Sequence, residues 1–338
     1  MESGYNLDMK ISELGEFGLI EMVAKTVGVP DGDALLIGIG DDAACWRAQG
    51  LQLATTDTLI EGIHFDLRHI TWRELGWKSM AVNLSDIAAM GGQPRYAMVT
   101  LGLPGDIEVE NIIELYKGMA KLARKFDVQI VGGDMVGAPI VAITVALIGE
   151  IRDESKLLRR SAAKPGDRIA VTGQLGASAA GLVVTQKKLD IDKKTAATLR
   201  KTHCKPNPRI EEGQALARHG VKAAMDVSDG LVIDIEKICL ASKVGAKIYS
   251  DRLPIHPGVV KAFGGESIVF ALSGGEDYEL LFTAPQEIVT SVKKALACPV
   301  TVIGEIVKGK GVKVFDENEK RLTLKAIGWD HFNKSKRR

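Results

Sequence analysis

Six short acidic motifs mark the sequence: Gly38-Ile-Gly-Asp-Asp42, Thr55-Thr-Asp-Thr58, Asn83-Leu-Ser-Asp86, Val131-Gly-Gly-Asp134, Asp226-Val-Ser-Asp-Gly230 and Ser273-Gly-Gly-Glu-Asp277. Each lies at the end of an apolar segment, beside residues that let the backbone turn sharply. Glycine supplies positive φ and bare backbone N–H groups. Aspartate supplies hard oxygen donors suited to Mg²⁺. Taken singly, each motif has a plain structural reading. Asp and Gly are ordinary turn residues, Ser228 or Asp229 would cap a following helix, and Asp86 would be an exposed helix residue. Six together, each at the edge of an apolar element, favour a functional reading. Carboxylates that converge repel one another and need cations, and divalent metal held by acids usually serves phosphate chemistry.

The common nucleotide signatures are missing. There is no GxxxxGK[ST] loop and no HRD or DFG of a protein kinase. Gly38-Ile-Gly-Asp starts like a dinucleotide fingerprint, but Ala43 breaks it. No Ser/His/Asp or Cys/His arrangement and no GxSxG elbow stand out. His64, a few residues beyond the Thr55–Thr58 segment, is compatible with a substrate contact or with none. His69, His203, His219 and His256 read as surface or core residues.

These motifs need a sizeable scaffold. The chain has 338 residues, enough for about two domains. Apolar residues make up 46% and charged residues 26%, so a large core is available. Lys+Arg number 44 against 43 Asp+Glu, a net charge of +1, which argues against a dedicated nucleic-acid binder. Aromatics, at 5%, are too few for a base-stacking platform. No apolar run reaches the roughly 18 to 20 residues of a membrane helix. The opening residues carry Glu2, Asp8 and Glu13 without an apolar core, so no signal peptide is expected. Cys45, Cys204, Cys239 and Cys298 are dispersed and form no CxxC, which suggests a reduced, cytoplasmic protein with neither zinc nor disulfides.

Periodicity predicts helices over 16–27, 71–90, 112–126, 176–185, 209–218, 231–242 and 286–296. It predicts strands over 51–55, 94–103, 128–131, 140–148, 168–172, 269–272, 280–283 and 300–307. The apolar 140–148 run predicts a strand covered on both faces. The charged, aperiodic stretch 152–165, ending Lys164-Pro165-Gly166-Asp167, reads as the domain boundary, dividing the chain into residues 1–152 and 153–338. The basic tail from Lys334 reads as a solvated end.

The ordered set of motifs resembles the thiamine-monophosphate kinases, a family of the superfamily that includes aminoimidazole ribonucleotide synthetase and selenophosphate synthetase. The resemblance runs from Gly15-Glu-Phe-Gly-Leu-Ile20 through Gly38–Asp42, Thr55–Phe65, Ala81–Gly91, Gly132-Gly-Asp134, Arg160-Ser161, Asp226–Leu231 and Ala271–Glu279 to Gly328-Trp-Asp-His-Phe332. It implies an α/β (mixed α+β) fold of two aminoimidazole ribonucleotide synthetase-like domains. The first would bind ATP and metal and form a homodimer through its N-terminal strands, and the second would complete the active site. The implied reaction is ATP-dependent phosphorylation of thiamine phosphate to thiamine diphosphate, with several Mg²⁺ ions. By position, Asp42, Thr55, Thr56, Asp57, Asp86, Asp134, Asp226 and Asp229 match metal ligands. Tyr116, Gly133, Asp134, Arg160 and Ser228 match ATP contacts, and His64, Glu276 and Trp329 match thiamine phosphate contacts. Asp57, Asp134, Asp229 and Arg160 would carry catalysis. Some relatives have Ser at Thr55, which keeps the hydroxyl.

That chemistry suits the residues. A phosphate monoester with a second pKa near 6 is largely dianionic at pH 7, so no strong protein base is required. The obstacle is repulsion, about 4 kcal/mol for two unit charges 4 Å apart at an effective dielectric of 20. Cations would offset it, which predicts direct in-line transfer without a phosphoenzyme. A Trp329 face would attract the thiazolium cation by roughly 1 kcal/mol. Sister enzymes fit less well. No reactive Cys precedes Gly38, as selenophosphate synthetase would have, and the chain ends Lys-Arg-Arg rather than in the functional Cys of the hydrogenase-maturation relative. The Gly-Trp-Asp-His-Phe ending is absent from aminoimidazole ribonucleotide synthetase. A non-catalytic binding module would be expected to have lost part of the acidic set.

Overall fold

The structure, a computed structural model, describes residues 9–28, 34–39, 43–187 and 189–323. It divides into two compact units, Met1–Leu84 with Pro94–Arg152, and Ser85–Gln93 with Asp153–Arg338.

In the first unit the chain runs α1 (Ile11–Val27), β1 (Leu35–Ile37), β2 (Cys45–Trp46), β3 (Leu51–Ile60), α2 (Trp72–Ala89), β4 (Gln93–Leu103), α3 (Val109–Lys125), β5 (Gln129–Gly137) and β6 (Ala142–Ile151). The last turn of α2 and the start of β4 group with the second unit. Four strands form a mixed sheet in the order β3-β6-β4-β5. β3 pairs antiparallel with β6, and β4 pairs parallel with β5. Helix α3 is strongly amphipathic, and its Ile112, Leu115, Met119 and Leu122 are fully buried at helical spacing. It meets α2 where both lack a side chain. A Cβ on Gly76 would collide with the Leu115 carbonyl, and one on Gly118 with the Arg73 carbonyl. Gly15, at φ 75, interrupts α1 just before Glu16, where periodicity starts the helix.

The second unit adds β7 (Arg168–Thr172), α4 (Ala177–Gln186), α5 (Lys193–Cys204), α6 (Ile210–Arg218), β8 (Ala223–Asp226), α7 (Leu231–Ser242), β9 (Gly245–Tyr249), α8 (Pro257–Phe263), α9 (Ser267–Ser273), β10 (Leu280–Ala284), α10 (Gln286–Ala295), β11 (Val300–Val307) and β12 (Gly311–Phe315). Six strands make one sheet in the order β12-β9-β11-β7-β10-β8, antiparallel except for β12 against β9. One face packs its Val171, Met225, Ile248 and Leu281 against Ile235 and Ile238 of α7. A smaller cluster joins Ala177, Ala180, Leu199 and Val259 of α4, α5 and α8.

Several expectations are corrected. Residues 269–272 are not a strand but part of helix α9, whose buried Ser267, Ala271 and Leu272 follow a helical repeat. So short an apolar run carries no decisive period. β6 is not covered on both faces: Ala142, Thr144, Ala146 and Ile148 are half-exposed between buried neighbours. Strands β3 and β5 run past their expected ends, so Thr55–Thr58 and Gly132–Asp134 lie within strands rather than at turns.

Candidate active site

In the first unit, the two-residue repeat of β3 places Thr55 and Asp57, half-buried, on one face, and Thr56 and Thr58, exposed, on the other. Thr55 lies opposite Leu147 and Asp57 opposite Val145. The Thr58 and Thr144 hydroxyls are 2.8 Å apart. Asp134 is exposed on β5 opposite Thr100, and its Oδ1 accepts from the Met135 N–H at 2.9 Å. Gly133 has no room for a side chain, because a Cβ would overlap the Val99 carbonyl oxygen. β3 and β5 occupy opposite ends of the sheet order, so Asp57 and Asp134 lie on strands separated by β6 and β4. Just beyond β3, the His64 Nδ1 accepts from the Ile60 N–H at 3.0 Å, so the neutral ring carries its proton on Nε2. Tyr116 is 3% exposed in the packed face of α3, and burial pushes its phenol well up. Asp42 and Trp329 lie outside the described residues.

The second unit holds a connected polar arrangement. Asp226 ends β8, buried, and its Oδ2 accepts from the Ser85 hydroxyl at 2.6 Å. Asp86 follows, half-buried, on the last turn of α2. The 227–230 turn is organised by a residue that the sequence reading missed. Asp234, fully buried, accepts through one oxygen from the N–H groups of Ser228, Asp229 and Gly230 at 3.0, 3.0 and 3.1 Å. Its other oxygen accepts from Lys237 Nζ at 2.7 Å, and the same ammonium reaches Asp229 at 2.6 Å. Burial raises the Asp234 pKa against the pull of Lys237. Those three N–H groups are therefore committed to Asp234 and are not a phosphate cradle. The signal was present: Asp234 is a lone acid inside the apolar run Leu231-Val-Ile-Asp-Ile235. Arg160 is exposed in a short 3₁₀ turn, and its carbonyl accepts from the Ser242 hydroxyl at 2.7 Å.

The 273–279 segment is laced to that turn. The Glu276 N–H donates to the Ser228 carbonyl at 2.7 Å, and Tyr278 N–H to Val227 carbonyl at 2.9 Å. Glu276 and Tyr278 both take left-handed backbone conformations, φ 65 and φ 52. Asp277 is buried and accepts from the Gly176 and Ser178 N–H groups at 2.6 and 3.2 Å, which fixes the first turn of α4. Burial pushes its carboxyl up to about 7. Glu279 forms a two-point ion pair with Arg209, both contacts 2.7 Å, and accepts from the Thr172 hydroxyl. Two acids of this segment, Asp277 and Glu279, thus hold backbone and core. Among the described residues, no three His, Cys, Asp or Glu side chains come together as a metal cage. Also among them, no helix is long and apolar enough to cross a membrane.

Comparison with known proteins defines the class first. Residues 40–151 match the N-terminal domain of AIR synthase related proteins, and residues 164–317 match the C-terminal domain. The fold is that two-domain mixed α/β architecture. A thiamine-monophosphate kinase of Buchnera aphidicola is 39% identical over 330 residues, 95% of this chain and 99% of the relative. The solved thiamine-monophosphate kinase of Stenotrophomonas maltophilia superposes with a TM-score of 0.80 at 36% identity, covering 89% of this chain and 96% of that one. AaThiL, solved in complex with AMPPCP and TMP, gives a TM-score of 0.75 at 34% identity, covering 97% and 100%. The chain belongs to the thiamine-monophosphate kinase family.

Proposed function

We propose that the protein transfers the γ-phosphate of ATP to the phosphate of thiamine phosphate, yielding thiamine diphosphate and ADP. The observation that carries this reading is the full-length likeness to AaThiL, which binds AMPPCP, an ATP analogue, together with TMP. In the step, an oxygen of thiamine phosphate forms a bond to the γ-phosphorus. The bond from that phosphorus to the β–γ bridging oxygen breaks, and ADP leaves with the electron pair. The acceptor is already anionic, so the chain's task is to orient two anions and screen their charge.

Mg²⁺ fits the donor set. The assigned ligands Asp42, Thr55, Thr56, Asp57, Asp86, Asp134, Asp226 and Asp229 are all hard oxygen donors. Mg²⁺ takes one or two carboxylates and completes its shell with water and substrate phosphates. Bound there, Mg²⁺ would neutralise phosphoryl charge. Gly133 brings bare backbone to the nucleotide, Arg160 supplies a cation, and Ser228 a hydroxyl. His64, with its proton on Nε2, donates to the acceptor phosphate, and Glu276 and Trp329 meet the thiamine moiety. A homodimer and a cytoplasmic location complete the reading. β3 is an outer strand with exposed Thr56 and Thr58, an edge that a second copy would cover, and the four cysteines are free thiols. The test is incubation with MgATP and thiamine phosphate. Thiamine diphosphate and ADP should appear one to one, whereas ATP consumption without thiamine diphosphate would assign the chain to a sister activity.

A further inference from the structure

We propose that His203 is the positioning residue for Glu276, setting affinity for thiamine phosphate without touching either substrate. The inference rests on the reading that Glu276 meets thiamine phosphate. Glu276 is held at three points. Its N–H donates to the Ser228 carbonyl at 2.7 Å. Its neighbour Asp277 is locked onto the first turn of α4 by two backbone N–H groups. Its own carboxylate, about a quarter exposed, lies 3.3 Å from Nδ1 of His203. His203 is on the last turn of α5, only 8% exposed, and the buried Ser178 hydroxyl of α4 lies 3.1 Å from the same nitrogen.

Those contacts have a mechanical consequence. The backbone of Glu276 is in the left-handed region, φ 65, a conformation that a glutamate keeps only when its surroundings hold it. A flexible carboxylate on such a backbone needs a fixed partner if it is to face a ligand in one orientation. His203 supplies a rigid ring from the packed side, leaving the exposed side of the carboxylate for the ligand. The helices that carry the ring are closely packed. A Cβ on Gly181 of α4 would overlap the Leu199 carbonyl of α5 and come within 3.0 Å of the His203 Cβ. Ser178, Gly181 and His203 thus form one rigid mount beneath Glu276. The serine and the glutamate share the same ring nitrogen, so the set cannot relay a proton from Ser178 through the ring to the acid, as a nucleophile triad would.

Three substitutions test the proposal. His203→Asn keeps a polar N–H near the position of Nδ1. His203→Gln moves the amide to the position of Nε2, out of reach of Glu276. His203→Phe keeps the ring and removes the nitrogen. Steady-state kinetics should show KM for thiamine phosphate raised about tenfold in His203→Phe and His203→Gln. His203→Asn should stay within threefold of the parent, and KM for ATP and kcat within about twofold throughout. Equal KM for thiamine phosphate in the Asn and Gln variants, or parallel rises in both KM values, would overturn it. The Asn and Gln pair carries the test if the Phe variant does not fold. Glu276→Gln separates the two layers. If it leaves KM for thiamine phosphate unchanged, Glu276 is not a substrate contact and the inference falls with it. If it raises that KM while His203→Gln does not, the substrate contact stands and the positioning role is wrong.

Discussion

Asp234 does more than its place in a helix suggests. One buried carboxylate satisfies three successive N–H groups and, through Lys237, fixes the direction of Asp229. Replacing Asp234 with alanine should destabilise the protein by about 3 kcal/mol, since it strands buried donors and removes one partner of a buried ion pair. Urea unfolding would measure this, and a change below about 1 kcal/mol would show that the turn stands without it. Asp57 makes the opposite case. It is half-buried on an outer strand, so Asp57→Asn should leave the unfolding midpoint nearly unchanged while reducing turnover at least a hundredfold. Near-normal turnover would remove Asp57 from the reaction. Residue types and spacing exposed the acidic motifs but could not sort them. The burial of Asp277 and Glu279, which hold structure, and the exposure of Asp134 follow from how distant segments pack, and that information is not local.

At the scale of elements, the sequence shows long periodic segments well. α7 and β11 occupy the residues that periodicity assigns to them, because each has enough length for one period to prevail. It fails where an element is short or where pairing extends it. The seven-residue α9 stands where a strand is expected, the four-residue β8 has no counterpart in the expectations, and the longer α5 has none because it buries only Leu199, His203 and Cys204 in a polar sequence. β3 and β5 reach further than their apolar cores because neighbouring strands supply hydrogen-bond partners that composition does not reveal. The α4 terminus offers a test of element-level electrostatics. Asp277 titrates near 7 in the folded chain against an ordinary value of 3.8, chiefly through burial, with neighbouring Glu279 and Glu276 adding to the shift. The folded state therefore holds this proton over a pH range where the unfolded chain has released it. Stability from this group is complete below about pH 4 and is lost as pH rises toward 7. Melting temperatures of the parent should fall relative to those of Asp277→Asn across that interval and run parallel above it. A constant difference from pH 4 to 8 would contradict the assignment.

The whole molecule is a two-unit member of its family, and the ordered motifs of the sequence point to that family before any coordinate is considered. Asp57 and Asp134 stand at opposite edges of one sheet, Asp226 is engaged with Ser85 and Asp229 with Lys237. On the proposed function, the chain presents oxygen donors to cations that accompany the nucleotide. The most direct test of the account is a single-turnover rapid quench with γ-³²P-labelled ATP, Mg²⁺ and thiamine phosphate. Label leaving ATP should appear in thiamine diphosphate at the same rate, with none on the protein at any time. Label accumulating on the chain before product, or released as free phosphate in its place, would contradict direct transfer between the two bound anions.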